Sequence, residues 1–486
     1  MKVFQPAPVS VSSCRGRLIS ITLATVCLGL AATARAQLPT FGPPAVLNAG
    51  ANKDQAKDEA ARIVSDGLGV WVVVWQSTGS AAAGPDSFGR DADILFVRSA
   101  DNGVTWTAPA AVSSRARKDQ GLDLTPALAT DGKGTWIVVW SSTEDLTGSR
   151  RNDRDIQIAI STDDARTWSL PRYLNGNATR DWGDDESPDI ATDAAGHWVV
   201  VWQSTDSLGN TIGGDRDVLA AASSDGGLTW SDPKPLDEAA AHDQRSDDAP
   251  RLATDRRGHW MTVWASSGAT ADRSRYDHFI LSATSADNGA TWRAPSPVTG
   301  GDDKQSREWN PRLATDGQGH WLCGWSSTDT LNGRLGRDRD VLAARSDDDG
   351  TTWSAPSPVN REAERDAGDD GSPEIATDGR GAWIAVWTTW DSRQRTIGSD
   401  GDLAMAASHD NGQTWTASAV VNPNAATDYG GDFNPAIATD RRGLWLVVWD
   451  TNEPEGGAIG TDRDLMVVSG RLSQEISGPV APPVAR

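Results

Sequence analysis

The stretch Ser223-Ser224-Asp225-Gly226-Gly227-Leu228-Thr229-Trp230 reads as a tight turn between two strands. Its Asp can accept backbone N–H bonds inside the turn, its second Gly suits a position with φ > 0, and its Trp can pack inward. The pattern Ser-x-Asp-x-Gly-x-Thr-Trp returns at Ser99–Trp106, Ser161–Trp168 (with Ala165 for Gly), Ser285–Trp292, Ser346–Trp353 and Ser408–Trp415. Successive starts lie 62, 62, 62, 61 and 62 residues apart. A feature spaced so evenly is a repeating structural unit, and six uses point to scaffold rather than to a single active site.

A second element recurs seven times. It begins at Val64 and then at Ala129, Ala191, Ala253, Ala314, Ala376 and Ala438, as Ala-Thr-Asp-x-x-Gly-x-Trp-x-x-x-Trp with small variations. The first part reads as a strand ending in an Asp-x-x-Gly turn. In the second part the two Trp residues stand four apart, hence on one face of a strand. Trp136, Val138 and Trp140 thus point one way, and Ile137 and Val139 the other. A strand apolar on both faces must lie between two sheets. A third strand (Asp217 to Ala222) precedes the turn, and a short proline-bearing strand (Trp230 to Leu236) follows it, as suits an edge. Four antiparallel strands repeated radially describe a propeller blade. The seventh unit stops after three strands, while Gly42 to Asn48 resembles the missing fourth. The all-β reading is therefore a seven-bladed propeller over 37–470, closed by its own N-terminal strand, with a Pro-rich tail at 471–486.

Residues 1–36 have the form of a secretory signal: Lys2, Arg15 and Arg17, an apolar run from Leu18 to Leu30, and Ala34-Arg35-Ala36 as cleavage site. The run is too short for a spanning helix, and Ala24-Thr25-Val26 before Cys27 fits a lipobox poorly. The expectation is a secreted or periplasmic protein. Beyond the signal only Cys323 remains, in an apolar strand, so no disulfide framework exists. The formal charge of −22 becomes −26 without the four basic residues of the signal. Such a chain repels nucleic acid and anionic membranes. Nothing in the repeat calls for a second copy of the chain, and a monomer is compatible with it.

With strands labelled A to D, the A–B and C–D turns share one face of the ring, and the longer B–C and D–A loops share the other. Ligands belong on the long-loop face, where carbohydrate or protein is the expected partner. An Asp precedes strand C in every unit (Asp91, Asp153, Asp215, Asp277, Asp338, Asp400 and Asp462). A second follows two residues later except in the fourth unit, where Phe279 replaces it. An acid also precedes every strand A, from Asp58 to Asp432. No cofactor motif is present and no metal ligand is assigned. Calcium is the one ion these carboxylates suit, but the spacing is not EF-hand-like and the recurrence favours loop capping.

Residues that break the repeat carry more information about function. Of 23 Trp residues only Trp182, Trp309 and Trp390 lie outside the strands and Asp turns, all on long-loop segments. They fit either sugar-stacking platforms or seals against the neighbouring blade. At the mouth of the central channel one register reads Arg62, Ala127, Asp189, Arg251, Arg312, Glu374 and Ala436 around the ring. The three arginines either clamp a carboxylate or pair locally, with Asp247 and Glu308 as partners for Arg251 and Arg312.

These Asp boxes resemble those of the sialidase (neuraminidase) superfamily, over nearly all of the chain after the signal. The resemblance implies a propeller, six-bladed in typical sialidases, with an arginine triad for the substrate carboxylate. Arg62, Arg251 and Arg312 would supply it, although the Arg-Ile-Pro motif survives only as Arg62-Ile63. It also implies a Tyr nucleophile with a Glu partner: Tyr173 lies in an outer strand, which leaves Tyr429, the preferred one, and Tyr276, with Glu374 as the partner, and an acid/base among Asp189, Asp86 and other long-loop aspartates. The function so implied is a secreted glycoside hydrolase acting on a carboxylate-bearing sugar such as sialic acid. The alternative is a non-catalytic propeller that binds glycan or protein through its long-loop face.

Overall fold

The structure is a computed structural model and describes residues 37–48, 56–78, 91–148, 153–242, 244–269, 276–299, 306–391, 397–398, 400–427, 429–453 and 462–472, with backbone alone at 269 and 276–277. The signal segment, the tail beyond 472 and Asp86 fall outside these residues. Seven separate antiparallel sheets are present, so the seven-unit count holds and the six-bladed alternative does not.

Strands A run Lys57–Ser65, Asp123–Thr130, Asp185–Thr192, Ser246–Thr254, Glu308–Thr315, Asp370–Thr377 and Asp432–Thr439 in blades 1 to 7. Strands B start at the first Trp of each pair, apart from blade 7, where Leu444 precedes Trp445. Strands C start at Ala92, Asp155, Asp217, Tyr276, Asp340, Asp402 and Asp464. Strand D is only two residues long in blades 1 to 6, as at Lys234–Pro235. In blade 7 its place is taken by the N-terminal segments: Ala45 and Val46 pair with Val467 and Met466, and Thr40 and Phe41 pair with Arg471 and Gly470. This closure leaves blade 7 no open outer edge.

Alternation in strand B builds the core. Trp136, Val138 and Trp140 pack on Val72, Val74, Ile94 and Phe96 of blade 1. Ile137 and Val139, on the opposite face, pack with Trp198, Val200 and Trp202 of blade 3. Each blade thus presents tryptophans to the blade before it and aliphatic side chains to the blade after it. Cys323 is completely buried in this layer, which pushes its thiol up and keeps it inert.

The Asp boxes are scaffold in their bonds. In all six, one Asp oxygen accepts the backbone N–H of the Thr at 2.8–3.0 Å and the other accepts its hydroxyl at 2.6–2.7 Å. The residue before the Gly also takes a left-handed conformation and, in blades 4 to 6, accepts a bond from the first Trp of strand B: Trp260 Nε1 donates to Asn288, Trp321 to Asp349 and Trp383 to Asn411. Ala165, in the glycine position of blade 2, keeps φ at 57°. The Asp-box tryptophans are partly buried, Trp415 more fully.

Candidate functional site

Strand A carries an irregularity that aims its side chains. In every blade its register with strand B slips by one β-bulge, between Glu59 and Arg62 in blade 1 and at the matching place elsewhere. The residue two before the channel register has positive φ in all seven: Ala60, Thr125, Ser187, Ala249, Asn310, Ser372 and Asn434. None is glycine, so the surrounding sheet holds each in a sparsely populated region. Gln side chains of the preceding blade secure two of them, Gln76 accepting from Thr125 N and Gln203 from Ala249 N. A bulge re-aims the residue beyond it, and that residue is the one in the charged register.

The register converges. Arg62, Arg251 and Arg312 take one pose, each donating from Nη1 to the carbonyl of its own preceding residue, at 3.0, 2.7 and 2.9 Å. Arg312 Nε donates to Glu374 Oε1 at 2.5 Å, and Arg62 Nη1 lies 3.9 Å from the same oxygen. Asp189 Oδ2 accepts from Leu252 N at 2.8 Å, tying blade 3 to blade 4. The local pairing of Arg312 with Glu308 does not occur. Glu308 is buried at the start of its strand, among Ser327, Ser306 and Trp325, and burial pushes it up to about 8. The acids that act on Arg251 are Asp189 and Glu374.

Electrostatics follow from this crowding. Burial, then Arg312 and Arg62, pull the Arg251 guanidinium down to about 9. Burial acts to raise Glu374, but Arg312, Arg62 and Arg251 outweigh it and hold the carboxyl below its usual range. Burial keeps Asp189 raised against the pull of Arg251, Leu252 N and Arg62. Three cationic groups against two acids leave a positive excess inside a strongly acidic chain. Glu59, Ser372, Asn434 and Arg463 border the opening beside Arg62 and Arg312.

The other candidates stand apart from this cluster. Tyr429 is 94% exposed on the loop before blade 7, its backbone N–H bonded to Glu453. Tyr173 lies in strand D of blade 2, its hydroxyl accepting from Leu146 N. Tyr276 opens strand C of blade 4, and its side chain is not among those described. Trp390 is 37% exposed and packs on Phe433, with the Arg339 guanidinium over its ring at 5.8 Å. Trp309 is half-buried at the bulge of strand A in blade 5. Trp182 is 75% exposed and borders a groove of about 730 Å³ with Asn177, Arg180 and Asp206. That groove shares no lining residue with the arginine cluster.

No known family profile matches the chain. Among solved structures, a Dyadobacter fermentans protein of unknown function superposes with a TM-score of 0.51 at 13% identity, over 90% of this chain and 99% of that one. The NanB sialidase of Streptococcus pneumoniae gives 0.45 at 12% identity, over 90% and 71%. An α-L-arabinofuranosidase of Fusarium graminearum gives 0.44 at 15%, over 90% and 98%. At such identities the likeness is one of fold. Among the described residues no helix is long and apolar enough to cross a membrane.

Proposed function

We propose that this chain is a secreted, glycosidase-like propeller that binds a carboxylate-bearing sugar at the channel mouth. The observation that carries the reading is the convergence of Arg62, Arg251 and Arg312 in one pose, with Glu374 and Asp189 as the acids that act on Arg251 among the described residues. Guanidinium groups match carboxylates bidentately, and half-burial strengthens each bond. In a sialidase-type hydrolysis Asp189, favoured in its protonated form by burial, serves as acid/base. Glu374, held ionised, is the base for a tyrosine hydroxyl, Tyr429 being the candidate once a ligand draws its loop inward. Asp86 is the alternative acid, and Trp182 and Trp309 are stacking platforms for further sugar units.

A specific observation favours binding without turnover as the second reading. Glu374 already engages Arg312 at 2.5 Å, and Tyr429 stands almost wholly in solvent. One experiment separates the two. The protein is titrated calorimetrically with N-acetylneuraminic acid and assayed with a fluorogenic sialoside, alongside Arg251→Ala. Binding and turnover, both reduced about 100-fold in the variant, support the hydrolase, a loss in line with removing one partner of a desolvated charge pair. Binding alone supports the module, and an unaffected variant removes both.

A further inference from the structure

Outside the channel, carboxylates gather where nothing in the proposed function uses them. Asp91 and Asp93 meet Asp119, Asp153 and Asp155 meet Asp181, and Asp338 and Asp340 meet Asp366. In each trio one oxygen per residue lies within 4.8 Å of the others. Oxygens bound to one calcium, each at about 2.3–2.6 Å, stand at most about 5 Å apart. The three trios are the same site in blades 1, 2 and 5: the Asp-x-Asp pair at the start of strand C, whose second member lies in the strand, and an aspartate of the D–A loop that follows.

The strand-A acids at these junctions behave differently. Asp123 accepts from Ser142, Asp185 from Asn175 and Asp370 from Asn360 at 2.6 Å. They cap loops. In the trios Asp181 accepts from Asn177 and Asp366 from Asn360, but the buried members Asp93 and Asp340 keep oxygens without a donor. Asp340 is 1% exposed, and neither of its carboxylate oxygens has a hydrogen-bond partner. The nearby Asn360 amide is given to Asp370 and Asp366, and its own Oδ1 is also buried without a donor. Asp93, 2% exposed, likewise leaves Oδ1 unbonded within its trio. A buried carboxylate without donors is costly, and these stand beside further carboxylates.

The fourth unit points the same way. The loop aspartate, four residues before the strand-A acid, recurs as Asp54, Asp119, Asp181, Asp243, Asp366 and Asp428, but unit 4 has Lys304. Unit 4 is also the one in which Phe279 replaces the second aspartate of the pair. Both substitutions fall in the same unit of the repeat, an apolar residue replacing one aspartate and a cation the other. Loop capping by the strand-A acid survives there as Glu308, so the two roles separate within the repeat.

We infer that the Asp-x-Asp pairs of blades 1, 2 and 5, each with the following loop aspartate, form calcium sites between neighbouring blades, and that unit 4 has lost the ligands for such a site. An all-oxygen, carboxylate-rich site selects calcium over softer metals. The ion ties the C strand of one blade to the loop that leads into the next, and needs no part of the sugar-binding reading.

The full chain, stripped with a chelator, is titrated with calcium chloride by calorimetry. Retained metal is counted after dialysis, with magnesium chloride as the control. At least three calcium ions per chain are expected, with thermal unfolding raised by roughly 5 °C at millimolar calcium and a smaller response to magnesium. Asp93→Asn and Asp340→Asn should each lower the count by one. The more exposed loop variants Asp119→Asn and Asp366→Asn give the same readout should the buried ones fold poorly. No retained calcium, or an ion count unchanged in all four variants, overturns the inference.

Discussion

The two ends of the ring are built from the same strands, yet they treat the repeat in opposite ways. At the Asp-box end six turns reproduce the same bonds to within 0.2 Å. At the channel mouth seven equivalent positions carry three arginines, two acids and two alanines. Backbone geometry is repeated at both ends, since even the strained bulge recurs in every blade. Only side-chain identity diverges, and only where ligands can reach. Uniformity holds the ring together, and variation at a uniformly aimed position distinguishes one propeller from another.

That contrast can be tested by damaging each region in turn. The largest effect is expected between the ends, in the tryptophan layer. Trp202→Ala should lower stability by about 3–5 kcal/mol in urea unfolding while leaving sugar affinity unchanged in calorimetry. A change in affinity would mean that the core and the mouth are not separable. Glu374→Gln should act at the mouth. Removing the acid between Arg312 and Arg62 leaves cationic charge uncompensated, so stability falls by about 3 kcal/mol. Affinity for an anionic sugar should rise several-fold, and any hydrolysis should disappear. Weaker binding in this variant would remove the carboxylate clamp.

The smallest effects belong to single Asp boxes. Asp225→Ala loses the bonds to Thr229 and Ser223, which lowers stability slightly because these bonds face solvent, and should not touch binding. The same bonds set a pH window. Hydrogen bonds from Thr105 hold Asp101 down to about 2, as those from Thr229 hold Asp225. A carboxyl lowered on folding stabilises above its unfolded value near 4, and that stability is lost as pH falls toward 2. Acid unfolding followed by circular dichroism should show Asp225→Ala less stable than the parent above about pH 5, with the deficit vanishing as pH falls toward 2.

The propeller was legible because its signals are periodic: turn residues every 62 positions, and strands whose two Trp residues must face one neighbour. The channel register was legible for the same reason, as aligned repeats bring Arg62, Arg251 and Arg312 to one line. The sequence could not reveal how charges pair across blades. Arg312 has Glu308 nearby in the chain, but the bulge turns Arg312 toward Glu374 of the next blade while the strand start buries Glu308. Nor did alternation foretell the bulges, because Thr125, Ser187 and Asn434 bear no mark of positive φ beyond the proline that follows each. The contacts of Trp390 with Phe433 and Arg339 join residues of different blades, which sequence spacing does not reveal.

The clasp of blade 7 joins residues 40–46 to residues 464–471. The first of these strands leaves the ribosome more than 400 residues before its partner. Blades 1 to 6 can form as they emerge, each from neighbouring sequence, but the circle cannot lock until residues 464–471 have followed. Until that moment the outer side of the last sheet lacks its cover, and a nascent chain that released the early strand to another molecule would exchange ends with it rather than close on itself.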